Sequence, residues 1–180
     1  MRVISGMARG RRLKEPPGFE IRPTSDMVKE SVFNIVQFDI EGRRVLDLFA
    51  GTGQMGIEAL SRGAKSAVFV DSDPEAAKLI RHNLKLCGLE DCASVQIRDA
   101  LKFLERDLDK YDLVFIDPPY DTGLFHEALA EIIKFDKLNT NGIIISESKA
   151  EAHIPAVELP YFLCKEYKYG GTRILKYSRN

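Results

Sequence analysis

The sequence predicts an α/β fold: a doubly wound, mostly parallel seven-stranded sheet with helices on both faces, an antiparallel C-terminal hairpin at one edge, and a small basic N-terminal extension. Three observations predict it. From residue 44 onward, short apolar runs alternate with amphipathic stretches, as in strand-helix-strand units whose strands are buried on both faces. The last two runs flank Gly170-Gly171, a pair suited to a tight turn. Acids recur at the ends of the apolar runs, the edge where open α/β sheets hold ligands.

The chain opens with a basic arm, and Pro16-Pro17-Gly18 turns out of it. Thr24 or Ser25 then stands as an N-cap with Asp26 in the first turn. Val28, Val32, Ile35 and Val36 repeat at helical spacing as far as about residue 37. Five strands are expected at 45–49, 67–70, 94–97, 113–116 and 143–146, and helices near 54–62, 74–87, 99–106 and 124–135. A hairpin over 161–167 and 172–177 completes seven strands. A chain of 180 residues with 44% hydrophobic content is the right size for one main domain with a full core. The boundaries read as an arm over 1–21 and a main domain over 22–180, whose helix over 22–38 serves as a lid.

Composition removes several classes of function. No segment approaches the roughly 20 apolar residues of a membrane helix, and the N-terminus lacks the apolar core of a signal peptide, so a soluble cytoplasmic monomer is expected. Cys87, Cys92 and Cys164 form no C-x-x-C pair, and His82, His126 and His153 fit no ligand spacing, so no disulfide framework and no metal site are signalled. Net charge is −1, but residues 1–14 carry five bases and no acid, leaving 21 bases against 27 acids in the remainder. A basic arm on an acidic body suits a polyanion met at one place; a solvated terminal hairpin would look the same.

The first strand runs into LDLFAGTGQMG, where Gly51, Gly53 and Gly56 form G-x-G-x-x-G and Asp71 follows Gly51 by twenty residues. Alone, that pattern also fits a dinucleotide site. Other acids discriminate: Asp47 precedes the glycine loop, Asp99 follows the third strand, and Asp117 ends the fourth. Four carboxylates on one edge repel a pyrophosphate and favour a cation. S-adenosyl-L-methionine carries a sulfonium and an ammonium, no phosphate, and ribose hydroxyls that can donate to Asp71. Capping of the following helices is the competing role for Asp99 and Asp71.

DLFAGTG, VDSD at 70–73, RDA at 98–100 and DPPY at 117–120 resemble, in order, the motifs of class I S-adenosylmethionine-dependent methyltransferases, which are Rossmann-like. More narrowly, VISGMARGRRL, RPTSDMVKESVFNI at 22–35, FAGTGQMGIEALSRGA at 49–64 and YGGTRILKY at 169–177 resemble the bacterial 16S ribosomal RNA guanine-N2 methyltransferases that modify guanine 966. The resemblance implies a cofactor site of Asp47, Phe49, Ala50, Gly51, Thr52, Gly53, Asp71, Ser72, Asp99, Ala100 and Asp117, with Thr24 contributed by the lid. Arg22, Pro23 and Asp26 would lie near the methionine end or the substrate entry. It implies as partner 16S ribosomal RNA in the small ribosomal subunit or its assembly intermediate. Arg9, Arg11, Arg12, Lys14 and Arg22 would meet its phosphates. Gln54-Met55 departs from the small and apolar pair of that family's loop while leaving the glycines intact.

The catalytic residues expected are Asp117, Pro118, Pro119 and Tyr120. An exocyclic amine is a poor nucleophile because its lone pair spreads into the ring. The Asp117 carboxylate and the Pro118 carbonyl can each accept one of its N–H bonds, localising that pair toward the methyl donor, while Tyr120 offers a stacking face to an unstacked base. Two prolines make the corner stiff. Adenine-N6 DNA methyltransferases share DPPY, but 180 residues leave little room for a target-recognition region. Glutamine-modifying enzymes carry asparagine at the first position. A dinucleotide-dependent oxidoreductase or a bare binding module leaves Asp47 and DPPY unexplained.

Overall fold

Apolar runs bounded by turn residues become strands here because both of their faces are covered. In the computed structural model, which describes residues 1–16, 23–119 and 122–180 and leaves aside the side chains of 23–26, the elements run α1 (Pro23–Ile35), β1 (Arg44–Leu48), α2 (Gln54–Ser61), β2 (Ser66–Asp71), α3 (Pro74–Cys87), a 3-10 turn at Glu90–Cys92, β3 (Ala93–Ile97), α4 (Ala100–Arg106), β4 (Tyr111–Ile116), α5 (Leu124–Lys134), β5 (Leu138–Lys149), β6 (Tyr161–Tyr169) and β7 (Thr172–Arg179). The strand order is β3-β2-β1-β4-β5-β7-β6. β3, β2, β1, β4 and β5 pair in parallel; β7 lies antiparallel to both β5 and β6. The doubly wound, seven-stranded reading is therefore correct, and no helix among the described residues is long and apolar enough to cross a membrane.

Each face has its own core. On one, Val32 and Phe33 of α1, Ile57 and Leu60 of α2, and Ile80 and Leu84 of α3 pack on Val45, Phe69, Phe115, Ile145 and Ile174. On the other, Phe103 and Leu104 of α4, with Leu129 and Ile132 of α5, pack on Leu46, Leu48, Val114, Ile116 and Ile144. Alternate residues of β1 and β4 divide between the two cores, as the two-residue side-chain period of a strand requires.

Three expectations need adjusting. α1 begins at Pro23, one residue before the expected cap, because a proline at the first helical position loses no hydrogen bond there and has φ already set. β5 starts at Leu138 rather than 143: Leu138 pairs with Tyr111, and the polar Asn139 is held by its side-chain amide donating to Asp112 Oδ1 at 2.8 Å. α4 starts at Ala100, with Asp99 outside it as the cap.

The arm is a hairpin fastened to α2 and α3. Val3 N–H donates to the Arg11 carbonyl at 3.0 Å and Gly10 N–H to the Val3 carbonyl at 2.9 Å, while Val3, Ala8 and Leu13 enter the core. The buried Glu58 of α2 accepts from Ile4 N–H at 2.8 Å and Ser5 N–H at 3.0 Å, and Ser61 Oγ accepts from Ala8 N–H at 3.0 Å. Gly6 makes this approach possible: at φ +83°, a Cβ there would sit 1.7 Å from the Ser61 carbonyl oxygen.

Candidate active site

The sheet changes its winding direction between β1 and β4, and in open α/β folds the crevice at that switch lies beyond the carboxyl ends of the strands. A cavity of about 1180 Å³ opens there. Its floor is the loop after β1, where Phe49, Gly51 and Gly53 all have positive φ (59°, 52° and 76°). Glycine takes that conformation freely, whereas for Phe49 it costs about 1–2 kcal/mol. The loop is held by carboxylates: Asp71 Oδ2 accepts from Gly51 N–H at 2.8 Å, and Asp47 Oδ2 accepts from Gly56 N–H at 2.9 Å in the first turn of α2. Asp71 Oδ1 also accepts from Asp73 N–H at 2.9 Å, and Asp73 in turn caps α3 through Glu75 N–H.

Asp47 does not face the cavity. It is 2% exposed, and burial pushes its carboxyl up to about 8, aided by the negative charges of Asp117 and Asp71 and opposed by the Gly56 hydrogen bond. Asp117 follows the last residue of β4 and opens onto the cavity. It meets solvent there, yet it stands at the base of a concave wall, where its charged form is poorly hydrated. That desolvation, followed by the like charge of Glu147, raises it above the ordinary carboxylate range.

Of the residues expected at the site, Phe49, Gly51, Asp71, Ser72, Asp99, Ala100, Asp117, Pro118 and Pro119 line this cavity. Asp47, Ala50 and Gly53 support its floor from behind. Thr52 faces a smaller adjoining cavity of about 640 Å³, shared with Gly51 and Asp71 and walled by Lys14, Glu15 and Pro16 of the arm. Asp99 also caps α4, accepting from Lys102 N–H at 3.0 Å, while lining the cavity. Arg22 and Tyr120, with the side chain of Thr24, lie outside the described residues. Arg9, Arg11, Arg12 and Lys14 are exposed on the arm, away from the large cavity.

Several contributors were not assigned to the site from the sequence. Val28, Lys29 and Val32 of α1 and Glu147 of β5 lie on the cavity wall, Lys29 being buried with its ammonium on the Arg2 carbonyl at 2.7 Å. Gly170, Gly171 and Thr172, at the hairpin turn, form the far rim. Asn83 of α3, fully buried, accepts from Lys14 N–H at 2.8 Å and donates to the carbonyls of Lys14 and Thr52 at 3.1 Å, tying the arm to the glycine loop. An isolated asparagine in an amphipathic helix gives no sequence signal for such a bridge; only the packing does. Among the lining residues, carboxylates outnumber cationic side chains five to three, so the cavity favours a cationic guest.

The chain matches, over residues 1–178, the profile of a family described as Conserved hypothetical protein 95. It is 38% identical over 182 positions to a Bacillus subtilis protein named "Putative rRNA methyltransferase YlbH", with 99% of each covered. It is 33% identical over 179 positions to the Escherichia coli protein named "Ribosomal RNA small subunit methyltransferase D", covering 99% of this chain and 90% of that one. Among solved structures it superposes on "Putative methyltransferase yhhF from Escherichia coli" with a TM-score of 0.90 and 33% identity, covering 100% and 98% of the two chains.

Proposed function

We propose that this chain, which belongs to the Conserved hypothetical protein 95 family, is a methyltransferase that uses S-adenosyl-L-methionine to methylate ribosomal RNA, at the exocyclic N2 amine of a guanine in the 16S RNA of the small subunit. The observation that carries the reading is the Asp117-Pro118-Pro119 corner on the wall of the same acidic cavity as Gly51 and Asp71. Names carried by relatives in Bacillus subtilis and Escherichia coli support ribosomal RNA as the substrate class. The motif resemblance supports guanine 966, and with it a cytoplasmic enzyme acting on the small subunit or its assembly intermediate, which we take to work as a monomer.

The residues present fit this cofactor. Asp71 is fixed by two backbone N–H groups and can still accept from ribose hydroxyls, Asp99 can accept from the adenine amine, and the backbone at Gly51 has no side chain to keep a ligand away. S-adenosyl-L-methionine supplies a methyl group activated by its sulfonium. The chain's own part is placement: Asp117 takes one N–H of the target amine and the Pro118 carbonyl the other, turning the nitrogen lone pair toward that methyl. Holding the two reacting groups in line is worth on the order of 7–11 kcal/mol of barrier. No strong base is required, because the amine proton becomes acidic only as the new bond forms, and ionised Asp117 then receives it. Tyr120 would stack on the base, contributing about 1–3 kcal/mol.

The division of labour we infer is an arm over 1–21, a methyltransferase domain over 22–180 and a lid over 22–38, whose Val28, Lys29 and Val32 face the cavity. The exposed Arg9, Arg11, Arg12 and Lys14, with Arg22, would hold RNA phosphates. Transfer of labelled methyl to unmethylated small subunits, naked 16S RNA and duplex DNA, followed by nucleoside analysis, tests the proposal. N2-methylguanosine in ribosomal material is expected. N6-methyladenine in DNA would overturn it.

A further inference from the structure

β4 and β5 are parallel neighbours whose last register pair before the cavity is Ile116 with Ser146. One step further along each strand come Asp117 and Glu147, side by side on chains roughly 4.8 Å apart. Phe115 and Ile145, two residues earlier, enter the core on the α1 side of the sheet, and the strand period sends Asp117 and Glu147 toward that same side. Both line the cavity beneath Val28 and Val32, and Glu147 is near enough for its charge to act on Asp117. The amine acceptor of the proposed reaction therefore has a second carboxylate at its flank, on the β5 side.

The edge of a purine decides what such a carboxylate does. In guanine, the ring nitrogen next to the N2 amine carries a proton, N1–H, so the edge offers two adjacent donors. In adenine, the ring nitrogen next to the N6 amine is N1 without a proton, an acceptor that a carboxylate repels. We propose that Glu147 is the specificity residue of the site, accepting the N1–H of the target guanine while Asp117 and Pro118 hold its N2 amine. The inference rests on the guanine-N2 reading above and adds to it the residue that rejects adenine. Two adjacent acceptors match a pair of adjacent N–H donors; a donor beside an acceptor leaves one of them unmatched.

The test uses small subunits reconstituted around 16S RNA carrying, at position 966, either guanine or 2-aminopurine, which keeps the N2 amine but has an unprotonated N1. Wild-type enzyme is expected to methylate guanine with a kcat/KM roughly 10- to 100-fold above that for 2-aminopurine, the range for one hydrogen bond to a charged group. Glu147→Gln should lower the guanine value by a similar factor and raise the 2-aminopurine value, because the glutamine amide can donate to the bare N1. Its affinity for S-adenosyl-L-methionine, measured by calorimetry, should stay within about threefold of wild type, which shows that the variant is folded. If wild type methylates guanine but Glu147→Gln leaves the ratio of the two bases unchanged, whether activity is kept or uniformly lost, the specificity role is wrong and the guanine-N2 reading stands. If wild type does not methylate the guanine amine at all, that reading fails and the inference falls with it.

Discussion

Asp47, Asp71 and Asp117 are three carboxylates of one motif set whose surroundings assign them different work. Asp71 is pinned by two N–H donors at the cavity wall, Asp117 stands beside Glu147 on that wall, and Asp47 is sealed under the glycine loop. For Asp47 the sign of the linkage is unusual. Its carboxyl is raised in the fold to about 8, so its contribution to stability is fully present below the unfolded value near 3.8 and is lost as pH rises toward 8. Asp47→Asn keeps an oxygen for Gly56 N–H and removes the titration, so its thermal midpoint should fall less than wild type's between pH 5 and pH 8.5. Parallel curves would show that Asp47 does not titrate in that range. Asp117→Ala should reduce methyl transfer by at least about 100-fold, the lower range for a group that positions reactants, with a far smaller loss of cofactor affinity; retained turnover with labelled cofactor would refute its role. At this scale the sequence was legible where a carboxylate sits in a motif and silent where it does not. Glu147 follows an ordinary apolar run, and only the register of β5 on β4 places it beside Asp117.

Helices and strands were the most readable layer, because apolar periodicity and burial have the same cause. β1 and β4 are buried on both faces and read as continuous apolar runs; α3 and α5 keep to within a residue of the bounds expected from their periodicity. The start of β5 was not readable, since Asn139 and Asn141 look like turn residues; the pairing with β4 shifts register between Leu138 and Ile143, where Asn139 donates to Asp112 and Asn141 takes a left-handed φ of 61°. Gly56 shows how an element is tuned by what lies against it. In a helix interior, Gly→Ala usually gains up to about 1 kcal/mol. Here an added Cβ would lie 2.3 Å from the Phe69 ring, and overpacking costs typically about 1–3 kcal/mol, so the clash decides. Gly56→Ala should lower the urea midpoint of unfolding; an equal or higher midpoint would mean that Phe69 yields more easily than the packing implies.

Across the whole molecule, charge is divided between a basic hairpin and an acidic crevice, joined through Asn83, which reaches from the arm to the carbonyl of Thr52 in the glycine loop. That division was visible in the sequence as a basic opening on an acidic chain, but the clamp of Glu58, Ser61 and Asn83 was not, because polar residues within helices carry no label saying what they bind. Replacing Arg9, Arg11, Arg12 and Lys14 with alanine should flatten the salt dependence of 16S RNA binding by up to about 0.7–0.9 for each phosphate that the arm no longer neutralises, and an unchanged slope would take the arm out of the RNA interface. In the crevice, raised carboxyls await positive charge. Bound cation lowers those pKa values, so binding releases protons and tightens as pH rises. Isothermal titration of S-adenosyl-L-methionine between pH 6 and pH 8.5, in buffers of differing ionisation enthalpy, measures this most directly. Proton release near pH 7 is expected, with affinity that increases with pH more steeply than for S-adenosylhomocysteine, whose sulfur is neutral; affinity independent of pH and buffer, or equal slopes for the two ligands, would show that the carboxyls do not respond to the sulfonium.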